Sequence, residues 1–89
     1  FFDLLIDEDS LVRSTTLRAL ANIQADGWVD LHARSLKDND YAIQRAAMDG
    51  LLGDHKVGVP ALLKYLRQYP SERISTLARR ELQQMGINP

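Results

Sequence analysis

The apolar positions of this chain recur at helical spacing and almost nowhere alternate. Between Leu11 and Ile23, residues Val12, Leu17, Ala19, Leu20 and Ile23 fall on one side of a helical wheel, which predicts an amphipathic helix. Ser10 stands where an N-cap is needed, and Asp7 to Asp9 place negative charge at the positive end of the helix dipole. Gln24-Ala25-Asp26-Gly27 then breaks the pattern. Further helices are predicted over residues 28–36 and 41–52, joined by Lys37-Asp38-Asn39-Asp40, and over residues 59–68 and 72–85. Gly53 is expected to supply the left-handed residue that ends the helix over 41–52. Pro60 falls in a first helical turn, where its missing N–H costs nothing, and Ser71-Glu72 opens the last helix after Pro70. Gly86 and Pro89 close it. No strand competes: Asp26-Gly27 separates two helical patterns, and Asp49-Gly50 lies inside one. The expected fold class is all-α.

The pattern also repeats. Shifted by 31 residues, Val12, Ile43 and Ile74 form one column, Thr16, Ala47 and Ala78 a second, and Leu20, Leu51 and Leu82 a third. Leu5, Leu36 and Leu66 form a fourth, with one residue of slack in the register near Tyr69-Pro70. Each unit reads as two helices around a short turn. One such pair leaves an apolar face wet, whereas stacked pairs bury a continuous core. The small residues Ala19, Ala46, Ala47, Gly50 and Ala78 would let those helices approach closely.

The first copy, Leu5-Ile6-Asp7-Glu8-Asp9-Ser10-Leu11-Val12-Arg13-Ser14-Thr15-Thr16-Leu17-Arg18-Ala19-Leu20, resembles the short variety of the HEAT repeat family, with Thr16 in place of the usual Ala. In the second copy Ile43-Gln44 replaces the Val-Arg pair and Arg45 is displaced by one, while the third copy has lost the turn aspartates. The resemblance covers nearly the whole chain. It implies a right-handed α-solenoid of about three helix pairs over residues 1–89, read as the C-terminal piece of a longer protein. It also implies that Asp7, Asp38 and Arg13 act as rungs of a ladder between repeats. A narrower resemblance joins Asp40 to Leu51, Val59 to Leu63 and Ile74 to Ala78 to the C-terminal helical region of aminopeptidase N-like zinc metallopeptidases. Their catalytic zinc is held in a separate domain by a His-Glu-x-x-His helix, a motif that this chain lacks.

Composition narrows the chemistry. The 89 residues hold 11 Lys and Arg against 12 Asp and Glu, for a net charge of −1, and no Cys. That excludes disulfides and Cys-ligated metal, and it gives no electrostatic footprint for nucleic acid. The opening run Phe1 to Ile6 is too short to cross a membrane and has no basic start. Absence of Cys is compatible with the cytoplasm, slightly favoured here, and with the periplasm. A chain this short buries only about 60% of its unfolded surface, so its core must be economical or be supported by neighbouring sequence.

Candidate reactive groups are few. His32 and His55 do not form an i, i+4 pair; His32 reads as a partly buried helix residue and His55 as exposed in a turn. The turns Asp7-Glu8-Asp9 and Asp38-Asn39-Asp40 invite a calcium reading, but an EF-hand loop begun at Asp38 would place Ile43 where Gly is needed and Asp49 where Glu is needed. Helix N-terminal charge complementarity explains both turns. No serine lies in a nucleophile elbow, and Gly50-Leu51-Leu52-Gly53 lacks the Lys-Ser or Lys-Thr of a phosphate loop. No catalytic, cofactor or metal residue is therefore assigned in this chain. Trp28 reads as a buried anchor, and Tyr41, Tyr65 and Tyr69 as boundary residues.

What is left is surface. In solenoids of the resembling type the second helices line the concave side, which makes Arg13, Arg18, Gln44, Arg45, Asp49, Arg80 and Gln84 the expected partner-facing set. The expected partner is a protein, a peptide or the remainder of the parent chain. The basic cluster Lys64, Arg67, Arg73, Arg79 and Arg80 leaves DNA as a disfavoured third reading, since Lys and Arg also suit an ordinary solvated helix face. The expected function is a non-catalytic scaffold module; the alternative is an accessory domain of a zinc aminopeptidase.

Overall fold

A computed structural model describes residues 10–88. Within them the chain forms α1 (Ser10–Asn22), α2 (Trp28–Ser35), α3 (Tyr41–Leu52), α4 (Gly58–Gln68) and α5 (Arg73–Gln84), and no strand. The all-α expectation holds, with helix bounds within a residue or so of those read from periodicity. α1 already includes Ser10, which is one residue earlier than a cap at that position allows. Asp7 to Asp9, expected to complement that helix end, lie outside the described residues, as does Pro89.

α3 is the hub, packing against each of the other four helices. α1 and α5 flank it in one row, and α2 and α4 touch each other and α3 from a second row; α1 meets neither α4 nor α5. The apolar columns explain this order. Ile43, Ala47 and Leu51 on α3, and Ile74, Ala78 and Leu82 on α5, are all 2% exposed or less. On α1 the same columns are Leu20, buried, Thr16, buried, and Val12, half-buried. The Thr16 hydroxyl donates to the Val12 carbonyl at 2.8 Å, so the polar replacement of Ala is satisfied within its own helix. Leu17, Leu36, Ala46, Met48 and Leu62 complete a sealed interior.

Three local expectations are corrected. Gly53 is not left-handed: its φ is −74°, and positive φ occurs instead at Gln24, Gly27 and Gly86. α3 closes without a left-handed cap because the Gly53 and Asp54 amides donate back to the Asp49 and Leu51 carbonyls. Ile23 does not join the apolar face; it is 64% exposed because α1 ends at Asn22 and the chain reverses through Gln24 at φ 48°. The last helix begins at Arg73, with Glu72 at the N-cap position making no side-chain cap.

Two glycines allow the close packing. A Cβ on Gly50 would stand 2.5 Å from His32 Cδ2 and 2.6 Å from its Nε2, so α3 has a notch where α2 inserts an imidazole. A Cβ on Gly58 would collide with the Leu51 carbonyl, so the start of α4 lies directly against the end of α3.

Candidate interaction surface

The turn between α2 and α3 is organised by its two aspartates. Asp40 takes an extended conformation (φ −90°, ψ 118°), and its Oδ1 accepts from the Ala42 amide at 2.9 Å, capping α3. Asp38 Oδ1 accepts from the Asp40 amide at 2.8 Å. From α1, Arg13 brings Nη1 to 3.6 Å from Asp38 Oδ2 and donates from Nη2 to Asp40 Oδ2 at 3.4 Å. The Asp38 and Asp40 carboxylates thus serve the start of α3 and a cation from α1. Among the described residues no group of three or more His, Cys, Asp or Glu could hold a metal ion.

The sequence-selected surface set divides in two. Arg13 and Gln44 are fastened into this joint: the Arg13 side chain is only 19% exposed, and Gln44 Nε2 donates to the Asp38 carbonyl at 2.6 Å. Arg18, Arg45, Asp49, Arg80 and Gln84 are exposed. Arg18, Asp49 and Arg80 occupy equivalent positions of successive copies, 31 residues apart, and so form one outward column over α1, α3 and α5. Arg18 Nη2 lies 3.8 Å from Asp49 Oδ2, with the side chains 51% and 43% exposed. Contact at that distance and exposure adds at most about 1 kcal/mol.

Beside the column, a cavity of about 280 Å³ opens between the ends of α1 and α3, lined by Arg18, Gln24, Trp28, Asp49, Gly50 and Asp54 among others. Gln24 Nε2 donates to Asp54 Oδ2 at 2.7 Å, while Asp54 Oδ1 accepts from the Lys56 and Val57 amides, 2.8 and 3.0 Å away. Those amides, Val57 first, hold the Asp54 carboxyl below its ordinary range. Trp28, read as a buried anchor, is one: it is 7% exposed and meets His32 edge-on at 5.3 Å.

His32 is more buried than the sequence suggests, with no exposed surface. Its Nδ1 lies 2.7 Å from the Trp28 carbonyl, which can only accept, so Nδ1 carries the proton of the neutral ring. Nε2 is then a buried lone pair with no hydrogen-bond partner. Burial pushes the His32 pKa below its ordinary value, against the pull of the Trp28 and Leu17 carbonyls, which favour the cation. His55 is exposed, as expected of its turn.

The opposite end is aromatic. Tyr65 and Tyr69 pack at 5.0 Å between ring centres, Lys37 Nζ lies 4.9 Å over the Tyr69 ring, and the Arg73 guanidinium lies 3.9 Å over Tyr41. The Tyr65 hydroxyl faces the Leu36 carbonyl at 3.4 Å, and burial pushes its pKa up. These contacts couple the turn before α3 to the turn before α5.

No protein-family model, curated protein or solved structure matches the chain. The cavity residues Gln24 and Asp54 are absent from the sequence-selected set. They are 30 residues apart, close to the repeat offset, and that spacing was the available signal that their turns are neighbours.

Proposed function

We propose that this chain is a non-catalytic interaction module of short HEAT-like repeats, which presents the outward surface of α1, α3 and α5 to a partner. One observation carries the reading: Arg13 of the first copy reaches Asp38 and Asp40 of the second, the inter-repeat pairing that the HEAT resemblance implies for Arg13 and Asp38. The two helix rows and the equivalent column of Arg18, Asp49 and Arg80 support a solenoid, in which successive copies offer successive surface positions. Its mechanism is the display of a rigid face.

The test is photo-crosslinking in the native host. A benzophenone amino acid at Arg45 should give a discrete protein adduct that is lost when Arg80 is also replaced by Ala. The same probe at Lys64, on the second row, should give none. Equal adducts from both positions, or none from Arg45, would overturn the assignment of the face. The accessory-domain alternative makes a separate demand, that the native polypeptide contain a His-Glu-x-x-His peptide, which mass spectrometry of the intact chain reads directly.

A further inference from the structure

The chemistry of the outward face is more specific than a generic surface. α1, α3 and α5 together carry six arginines and no lysine, whereas all three lysines of the chain, Lys37, Lys56 and Lys64, lie on α4 or in turns. Arg18, Arg45, Arg73 and Arg80 are exposed on these three helices, where Asp49, 3.8 Å from Arg18, is the exposed carboxylate among the described residues. Four exposed arginines against one exposed carboxylate leave an excess of three exposed positive charges on these helices. The other acids among the described residues are Glu81, half-buried on α5, Asp30 on α2, and Asp26, Asp38, Asp40, Asp54 and Glu72 at helix ends and in turns, where Asp38, Asp40 and Asp54 already accept backbone amides. Guanidinium groups are planar forks that match a carboxylate with two parallel hydrogen bonds, a geometry that an ammonium cannot supply. Arg73 also lies over the Tyr41 ring, its guanidinium carbon 3.9 Å from the ring centre, a contact that favours one placement of the cation.

We propose that this face binds an extended acidic peptide segment, lying across α1, α3 and α5 with its carboxylates on Arg18, Arg45, Arg73 and Arg80. The inference rests on the interaction-module reading and gives its partner a chemistry. Neighbouring helices in a row stand about 8–10 Å apart, so the distance from Arg18 to Arg80 is roughly 20 Å. About six residues of extended chain cover it at roughly 3.3 Å each. Asp49, at the centre of the column, decides between acidic ligands. A nucleic-acid backbone carries charge at every step and must bring a phosphate close to that carboxylate, whereas a peptide can place an uncharged residue there. Asp49 also draws Arg18 toward itself at 3.8 Å, so removing its charge releases Arg18 to the ligand.

Fluorescence anisotropy of the full chain with a labelled octapeptide of alternating Glu and Ser tests this. Binding should be saturable and should weaken on raising salt from about 50 to about 200 mM. Arg45→Ala and Arg80→Ala should each weaken it about fivefold, and Asp49→Asn should tighten it several-fold. Arg34→Ala and Lys64→Ala, on the other row, should leave it unchanged, with circular dichroism confirming that every variant is folded. No saturable binding of the Glu-Ser peptide would overturn the proposal, as would equal binding of a Lys-Ser peptide or insensitivity to Arg45→Ala and Arg80→Ala. Tighter binding of a DNA oligonucleotide of similar length would transfer the face to nucleic acid. If the acidic peptide fails while the Arg45 crosslink still captures a discrete partner, the chemistry proposed here falls and the interaction module stands. If both fail, the module reading falls first.

Discussion

Arg13 and Arg18 stand on the same helix, five residues apart, and each meets carboxylates supplied by the next copy of the pattern. Arg13 is mostly covered and contacts both Asp38 and Asp40, so it ties α1 to the capped start of α3. Arg18 is half exposed and stands 3.8 Å from a single carboxylate that is itself exposed. The same residue types thus serve as a fastener in one place and as a displaceable surface group in the other. What separates them is solvent, because a charge pair screened by water contributes little and can be exchanged for a ligand at small cost.

The comparison extends to whole regions, and the strongest way to break it is to disturb the covered side. Gly50→Val forces a side chain into His32, and we expect about 3 kcal/mol of lost stability, read as a fall in the urea midpoint. Gly53→Ala is the contrasting case. At φ −74°, with its nearest contacts at 3.6 and 3.7 Å, it should be neutral or stabilising by about 0.5 kcal/mol. A marked loss there would mean that Gly53 is left-handed after all.

Next in size is Arg13→Ala, expected to cost about 1–2 kcal/mol by removing the partly covered cation that faces Asp38 and Asp40. Urea denaturation alongside Arg18→Ala gives the direct reading, and equal losses from the two would erase the distinction. A gradual pH effect follows. His32 has a lower pKa folded than unfolded, so below about pH 6.5 the unfolded chain takes up the proton more readily, and stability falls as pH drops from there toward the folded pKa. Above that window the neutral ring contributes fully. The slope should vanish in His32→Leu, whereas Asp54, whose carboxyl is depressed, withdraws its contribution only at more acidic pH, below its ordinary value of 3.8. A flat stability profile from pH 7 to about 5 in the native sequence would contradict the buried neutral imidazole. The smallest effect belongs to Arg18→Ala, within about 0.5 kcal/mol of the parent in thermal melts.

Much of this fold was legible because helices announce themselves locally. The columns Val12/Ile43/Ile74 and Leu20/Leu51/Leu82 need only a helical period and a repeat offset, and the residues in them are nearly all buried. The partner-facing set was less legible. Arg13 and Gln44 occupy the same helical faces as exposed positions, yet both are drawn into the α1 to α3 joint. Their outcome depends on where Asp38 lies in space, which periodicity does not encode. Ile23 is exposed for a related reason: its spacing suits the apolar stripe, but the backbone leaves the helix one residue earlier.

The sequence by itself determined the helices, their order and the columns that face inward, since these follow from side-chain periodicity, proline and glycine placement and short polar turns. Only the tertiary structure decided that Gly50 is a notch for His32, that Gln24 and Asp54 share a cavity wall and that Arg13 is a fastener while Arg18 is a surface group. The physical reason is that burial and desolvation belong to pairs of elements. A residue's type and spacing state which face it occupies, but whether that face is wet depends on what the rest of the chain lays against it.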